Sequence, residues 1–176
     1  MRVIAGSLKG RSLAAPPPRD LRVRPTADRA REALFSILQR WPQGPFLDLC
    51  AGTGAVGLEA LSRGYAPVTC VEAGEPGWAC LRRNAEGTAL QVLRQDVQKL
   101  EAGRFQSLAV AFLDPPYESV SRLWGQMAGR IRGWMAESGV LVVETDRRTE
   151  LEFQIGWELA ETREYGAARF HFWTPA

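Results

Sequence analysis

The spacing of apolar residues changes several times along this chain, and each change marks a different kind of element. Residues 2–13 alternate loosely between apolar and polar, with Gly6 and Gly10 as turn residues, which predicts a short β-hairpin. "AAPPPRD" at 14–20 is an extended, proline-rich connector. Ala30, Ala33, Leu34, Ile37 and Leu38 then recur at helical spacing, so an amphipathic helix follows, with Thr26 as its N-cap and Pro42 as its stop.

From Phe46 the chain alternates strand, turn and helix. Strands are expected at "PFLDLC" (45–50), "VTCVEA" (68–73), "LQVLRQD" (90–96), "LAVAFLDPPY" (108–117) and "GVLVVET" (139–145). Helices are expected where Val56, Leu58, Ala60 and Leu61 lie, near 75–86, and after residue 117, where Val120, Leu123, Met127, Ile131 and Trp134 mark one face. "WELAETREYG" and "AARFHFW" read as a terminal hairpin turning at Gly166. Strands alternating with helices mean a parallel α/β sheet, and the hairpin adds an antiparallel edge. Such sheets bind ligands outside the carboxyl ends of their strands, near the switch in strand order. Four strands end there in polar or special residues: Asp48 with Gly52, then Glu72, then Asp96, then Asp114-Pro-Pro-Tyr117.

At 176 residues the chain is the size of one domain, read as an arm and connector over 1–23 and a core over 24–176. Its 45% apolar and 24% charged content is that of an ordinary globular protein. No run approaches the ~20 apolar residues of a membrane span, and the N-terminus does not read as a signal peptide. Cys50, Cys70 and Cys80 lack paired metal spacing and read as small buried residues in a reducing, cytoplasmic compartment, with no metal site. The net charge of +2 is unevenly spread: residues 1–31 carry eight basic side chains against Asp20 and Asp28, a net +6, which leaves −4 for the rest. A basic arm on a mildly acidic body points to a polyanionic partner, although a solvated tail has the same composition.

"FLDLCAGTGAVGLEA" at 46–60 holds Gly52-Thr-Gly54-Ala-Val-Gly57, and Glu72 follows twenty residues after Gly52. That spacing fits a nicotinamide-dinucleotide site. It equally fits the glycine loop of an S-adenosylmethionine (SAM) methyltransferase. A dinucleotide would set its pyrophosphate against the helix N-terminus, where Asp48 would repel it. SAM carries a sulfonium and an ammonium but no phosphate, so a carboxylate beside the loop suits it. Glu72 can accept hydrogen bonds from a ribose diol under either cofactor, and Asp96 from an adenine amino group. Asp48 can equally cap a helix or pair with an arginine, and Asp96 can N-cap the following turn.

"DPPY" at 114–117 separates the two readings further. Two consecutive prolines cannot continue a central strand, so the chain leaves the sheet there. Asp114 and the Pro115 carbonyl become two rigid acceptors with Tyr117 beside them. A planar exocyclic amine offers two N–H donors, which two acceptors can hold, while Tyr117 can stack on the base and stabilise developing positive charge. Positioning then supplies most of the acceleration, and Asp114 or a neighbouring water can take the final proton. A simple turn with a buried tyrosine has the same four letters.

"DLCAGTGAVGLEAL", "VEA" and "LDPPY", preceded by "RVIAGSLKGRSL" and "LRVRPTADRAREALFSIL", resemble the RsmD family nearly end to end. These are SAM-dependent methyltransferases acting on the N2 amino group of a guanine in bacterial small-subunit (16S) ribosomal RNA. The glycine loop and DPPY are common to many amino-methyltransferases; the two N-terminal stretches are more specific to this family. The resemblance implies a class I methyltransferase fold, a Rossmann-like α/β sheet of seven strands with helices on both faces. It implies a cofactor loop of Asp48, Ala51, Gly52 and Gly54, with Glu72 and Ala73 at the ribose and Asp96 and Val97 at the adenine. It implies Arg24, Pro25 and Thr26 over the methionine end, and Asp114, Pro115, Pro116 and Tyr117 as the target-base pocket. Cys50 stands where an aromatic is frequent, and the loop after Tyr117 is short.

The basic arm then has a use: Arg2, Lys9, Arg11 and Arg29 are expected to contact RNA phosphates without reading sequence. The expected partner is small-subunit rRNA, free or within an assembled or partly assembled subunit, and the simplest assembly of the protein is a monomer. An oxidoreductase reading leaves DPPY without a task, and its one histidine, His171 in the last strand, reads as structural. Methylation of adenine N6 or of a protein glutamine amide uses the same chemistry, and only the resemblance favours guanine N2. A non-enzymatic RNA-binding module would show a broken cofactor site, whereas every expected side chain is present.

Overall fold

The computed structural model describes residues 1–16 and 28–176. Its elements in chain order are α1 (Asp28–Leu38), β1 (Phe46–Leu49), α2 (Ala55–Ser62), β2 (Val68–Val71), α3 (Gly77–Ala85), β3 (Gln91–Leu93), β4 (Leu108–Leu113), α4 (Tyr117–Trp134), β5 (Met135–Asp146), β6 (Trp157–Tyr165) and β7 (Ala168–Pro175). The seven strands form one sheet in the order β3-β2-β1-β4-β5-β7-β6. The first five strands pair in parallel, and β7 runs antiparallel between β5 and β6. The expected hairpin therefore inserts its second strand and leaves the first, β6, at the edge.

Helices cover both faces, which is why β1 and β4 are buried along their whole length. On one face Leu34, Phe35 and Leu38 of α1, Val56 and Leu58 of α2 and Leu81 of α3 pack against Phe46, Cys70, Val110 and Phe112. On the other, Val120, Leu123, Trp124, Met127, Ile131 and Trp134 of α4 pack against Leu47, Leu49, Val71, Leu113 and Val143. The buried face of α4 is the one its apolar spacing predicts. Among the described residues no helix is long and apolar enough to cross a membrane.

Two expectations need correction. The strand ends differ: β2 stops at Val71, β3 covers only Gln91–Leu93, and β5 starts at Met135, directly after α4, where Met135 pairs with Leu108 across a register shift. The buried stripe of α1 is Ala30, Arg31, Leu34, Phe35 and Leu38, rotated away from Ala33 and Ile37, because Arg31 turns inward to the equally buried Glu59 at 3.6 Å. The expected N-cap, Thr26, lies outside the described residues.

The arm is a minimal hairpin: one antiparallel bridge joins Arg2 to Ser12, with Val3 N–H donating to Arg11 O at 3.0 Å and Gly10 N–H to Val3 O at 2.9 Å. It is docked along α2. Glu59 accepts from the Ile4 and Ala5 amides at 2.7 and 3.0 Å and from Arg63 Nε at 2.8 Å, and Ser62 O accepts from Ser7 N–H at 2.8 Å.

Candidate active site

Register builds the site. Leu93, Val71, Leu49, Leu113 and Val143 stand level across β3, β2, β1, β4 and β5. One step beyond that level the chain places Glu72, Cys50 and Asp114 side by side at the carboxyl end of the sheet. β1 connects to β2 on one side while β4 pairs on its other side, so this is the switch point where open α/β sheets bind ligands.

Cys50 reports the electrostatics of the cluster. Burial pushes its thiol well above the usual value, and the charges of Glu72, Asp114, Asp48 and Asp96 push it the same way. The charges of all four carboxylates are therefore felt at one side chain. Cys50 holds a left-handed backbone with φ 63°, uncommon for a residue with a side chain, at the bend from β1 into the glycine loop.

The loop is held from both sides. Ala51 N–H donates to Val71 O at 2.9 Å and Gly54 N–H to Ala51 O at 2.8 Å. Glu72 bridges two amides, Gly52 N–H at 2.7 Å and Gly74 N–H at 2.8 Å. Each of its carboxylate oxygens keeps a second lone pair for a ribose hydroxyl. Ala73 beside it is exposed. Asp96 caps the short 3-10 turn Val97–Lys99 by accepting from Gln98 N–H at 2.9 Å, the capping role open to it from the sequence, and Val97 behind it is buried.

Asp48 takes a different place from the one its charge suggests. Its Oδ2 turns beneath α2 and accepts from Gly57 N–H at 3.0 Å and from the Cys70 thiol at 3.7 Å. Gly54, the N-cap of α2, has no side chain to do this, so Asp48 caps the helix from the neighbouring strand. Burial raises its carboxyl to about 8 against the relief of the Gly57 bond, with Asp114 and Glu72 adding to the rise. At neutral pH the group is held largely protonated, so charge repulsion is not what disfavours a pyrophosphate here. Occupancy is: the Gly57 amide in the first turn of α2 and the Gly52 amide in the loop are already bonded to carboxyls, and a dinucleotide would need such amides.

The chain leaves β4 at Asp114, whose amide donates to Leu49 O at 3.4 Å, and α4 begins at Tyr117. Pro115 is buried, Pro116 exposed, and Asp114 and Tyr117 half-buried. Ser119 fastens the start of α4 by donating its amide and hydroxyl to Pro116 O at 2.8 and 2.9 Å. Arg24, Pro25 and Thr26 lie outside the described residues. His171 is buried with Nε2 at 3.0 Å from Thr145 Oγ1, and burial lowers it to about 4, which fits its structural reading. Among the described residues no group of three or more His, Cys, Asp or Glu side chains is placed to hold a metal ion.

Of the expected phosphate contacts, Arg2, Lys9 and Arg29 are exposed. Arg11 is half-buried, and its guanidinium donates to Asn84 O at 3.2 Å and Glu86 O at 2.5 Å, capping the C-terminal end of α3. Sequence reasoning missed Glu59 and Asn84, both buried and both tied to the arm. A signal for them exists, since each is a polar residue on the apolar face of a helix.

The comparisons agree with this geometry. The family model described as conserved hypothetical protein 95 matches residues 1–174. The Escherichia coli K12 protein named ribosomal RNA small subunit methyltransferase D is 32% identical over 157 residues, covering 83% of this chain and 75% of that one. A hypothetical protein of Thermus thermophilus superposes with a TM-score of 0.81 at 28% identity, covering 98% of each chain. An RNA methyltransferase of Salinibacter ruber, solved with S-adenosyl-L-homocysteine, shares the fold with a TM-score of 0.64 at 16% identity over 86% of this chain and 94% of that one. With the family model running almost end to end and this seven-strand order beneath it, the chain belongs to the conserved hypothetical protein 95 family, the RsmD family of methyltransferases.

Proposed function

We propose that this protein transfers a methyl group from SAM to the exocyclic N2 amino group of a guanine in small-subunit ribosomal RNA. The register of β1 and β4 carries the reading: Leu49 pairs with Leu113, which sets Asp114-Pro-Pro-Tyr117 directly beside the glycine loop. A cofactor in that loop and a base at DPPY would be neighbours.

The residues fit SAM. Glu72 and Ala73 would hold the ribose, Asp96 and Val97 would lie at the adenine, and the backbone of Ala51, Gly52 and Gly54, whose amides are bonded within the protein, would shape the cradle. Asp48 supports that cradle from below by fixing the first turn of α2. When bound, SAM supplies an electrophilic methyl group. Asp114 and the Pro115 carbonyl would accept the two N–H bonds of the target amine and fix its orientation, with Tyr117 against the base. The proton released on methylation would pass to water or to Asp114.

Guanine N2 and the ribosomal substrate rest on the family relation, with the E. coli relative named for small-subunit rRNA. Lys9, Arg2 and Arg29 would contact phosphate, and the base would be unstacked into the pocket. The test is methyl transfer from labelled SAM to unmodified small-subunit rRNA, to the corresponding ribosomal particle and to double-stranded DNA, followed by digestion to nucleosides. Label in N2-methylguanine is expected, and the better RNA form identifies the substrate. Label in N6-methyladenine alone would overturn the guanine assignment while keeping the DPPY chemistry.

A further inference from the structure

The buried stripe of α3 consists of Gly77, Leu81 and Asn84, and the last of these is polar. Asn84 is 4% exposed, so its amide must find partners inside the protein. It finds three. Its Nδ2 donates to Thr53 O at 2.9 Å and to Ala14 O at 3.0 Å, and its Oδ1 accepts from Ala14 N–H at 2.7 Å. This orientation faces the oxygen with an N–H and the nitrogen with two carbonyls; the flipped amide would make every contact repulsive.

Thr53 stands between Gly52 and Gly54 in the glycine loop and is itself buried. The Asn84 bond is therefore a grip on the backbone of the loop, one residue along from the Gly52 amide that Glu72 holds. Leu81, one turn earlier on α3, supports the same loop: a Cβ on Gly54 would lie 2.4 Å from Leu81 Cδ1. The last two turns of α3 thus form the bed of the loop, with Asn84 as its polar contact. Asn84 also holds Ala14 at both backbone groups, while Arg11 clamps the arm to the carbonyls of Asn84 and Glu86.

We infer that Asn84 is a positioning residue for the cofactor: by bonding Thr53 O it sets the conformation in which the glycine loop receives SAM, without touching SAM itself. This rests on the SAM reading of the loop. Arm docking is a separate task of the same side chain, and Arg11 gives a way to disturb the arm without touching Thr53.

S-adenosyl-L-homocysteine is titrated by calorimetry into the wild type, Asn84→Ala, Asn84→Asp and Arg11→Ala, with thermal unfolding followed on each. Asn84→Asp is isosteric and keeps an acceptor for Ala14 N–H but loses both donors, so it reports on the inference even if Asn84→Ala does not fold. Both Asn84 variants are expected to bind about tenfold more weakly, the equivalent of one lost hydrogen bond. In methyl transfer their KM for SAM rises by a similar factor while kcat at saturating SAM changes little. Arg11→Ala is expected to bind S-adenosyl-L-homocysteine like the wild type although its arm is loosened. Wild-type affinity in both Asn84 variants would overturn the inference, and so would an equal loss in Arg11→Ala, which would place the effect in arm docking. A wild type that binds no S-adenosyl-L-homocysteine would instead remove the SAM reading, and the inference with it.

Discussion

Asp48 in β1 caps the first turn of α2 by accepting the Gly57 amide at 3.0 Å, from a fully buried position beneath the glycine loop. The pairing has a pH signature. Unfolded, the carboxyl titrates near 3.8; folded, burial raises it to about 8. A raised carboxyl contributes stability that is complete below its unfolded value and is lost as pH rises through the folded one. Across that interval this group alone lowers stability by up to ~1.4 kcal/mol per pH unit. Asp48→Asn keeps an acceptor for Gly57 N–H and cannot ionise. Denaturant unfolding from about pH 5 to about pH 8 should show a falling stability in the wild type and a distinctly flatter profile in the variant. Parallel profiles would mean that Asp48 is ionised in the folded protein.

Gly57 is a glycine because β2 passes directly beneath it. A Cβ there would stand 2.1 Å from Cys70 Sγ. Gly57→Ala should destabilise the protein by ~1–3 kcal/mol through overpacking. Cys70→Ala removes the obstructing sulfur, so the double variant should lie closer to Cys70→Ala than additivity predicts. Additive effects in a double-mutant cycle would show that the close approach is relieved by backbone movement.

The fold is legible from Phe46 onward because its strands are apolar runs closed by glycine, proline or an acid, and their order follows from alternating with helices. What local pattern cannot show is pairing across the chain. Arg31 counts in the sequence only as one more basic residue, because its partner, Glu59, lies in a different helix. The start of β5 at Met135 has no apolar run and depends on pairing with Leu108. Asp48 reads as a charge facing a ligand, yet its acceptor role is filled by an amide nine residues on. DPPY behaves as its chemistry requires, since two prolines end a strand wherever they occur. The bonds of Arg11 to the carbonyls at the end of α3 are likewise absent from local pattern, since the two segments lie far apart in the chain.

Glu59 joins three parts of the chain: the arm through the Ile4 and Ala5 amides, α1 through Arg31, and its own helix through Arg63. Arg31 and Glu59 are both fully buried. Removing one partner of a buried pair leaves the other charge without that compensation, so Glu59→Gln should cost ~3 kcal/mol or more in denaturant unfolding. It should also speed tryptic cleavage after Arg2 and Lys9 in the undenatured protein. Unchanged cleavage would mean that Ser62 and Asn84 suffice to hold the arm.

The proposed reaction puts Asp114 at the target amine, and the chain places it one step past the level of Leu49 at the end of β1. Asp114→Ala should lower kcat by about 100-fold or more through lost positioning and proton acceptance. Its affinity for S-adenosyl-L-homocysteine should stay near the wild-type value. A large loss of that affinity with kcat retained would move Asp114 from the base pocket to the cofactor site.

Lys9 and Arg11 sit two residues apart on the arm and differ in their surroundings. Lys9 is exposed, whereas Arg11 donates to two carbonyls at the end of α3. A lysine that neutralises one phosphate releases roughly one counterion, so Lys9→Ala should reduce the slope of log affinity against log salt by roughly 0.7–0.9. Its unfolding temperature should not change. Arg11→Ala removes two hydrogen bonds to a helix end and should lower stability by ~1 kcal/mol, with a smaller effect on the salt slope. RNA binding measured across a salt series, beside thermal unfolding of each variant, separates the two. An Arg11 variant that loses the salt slope and keeps its stability would return the guanidinium to the RNA and leave the end of α3 capped by solvent.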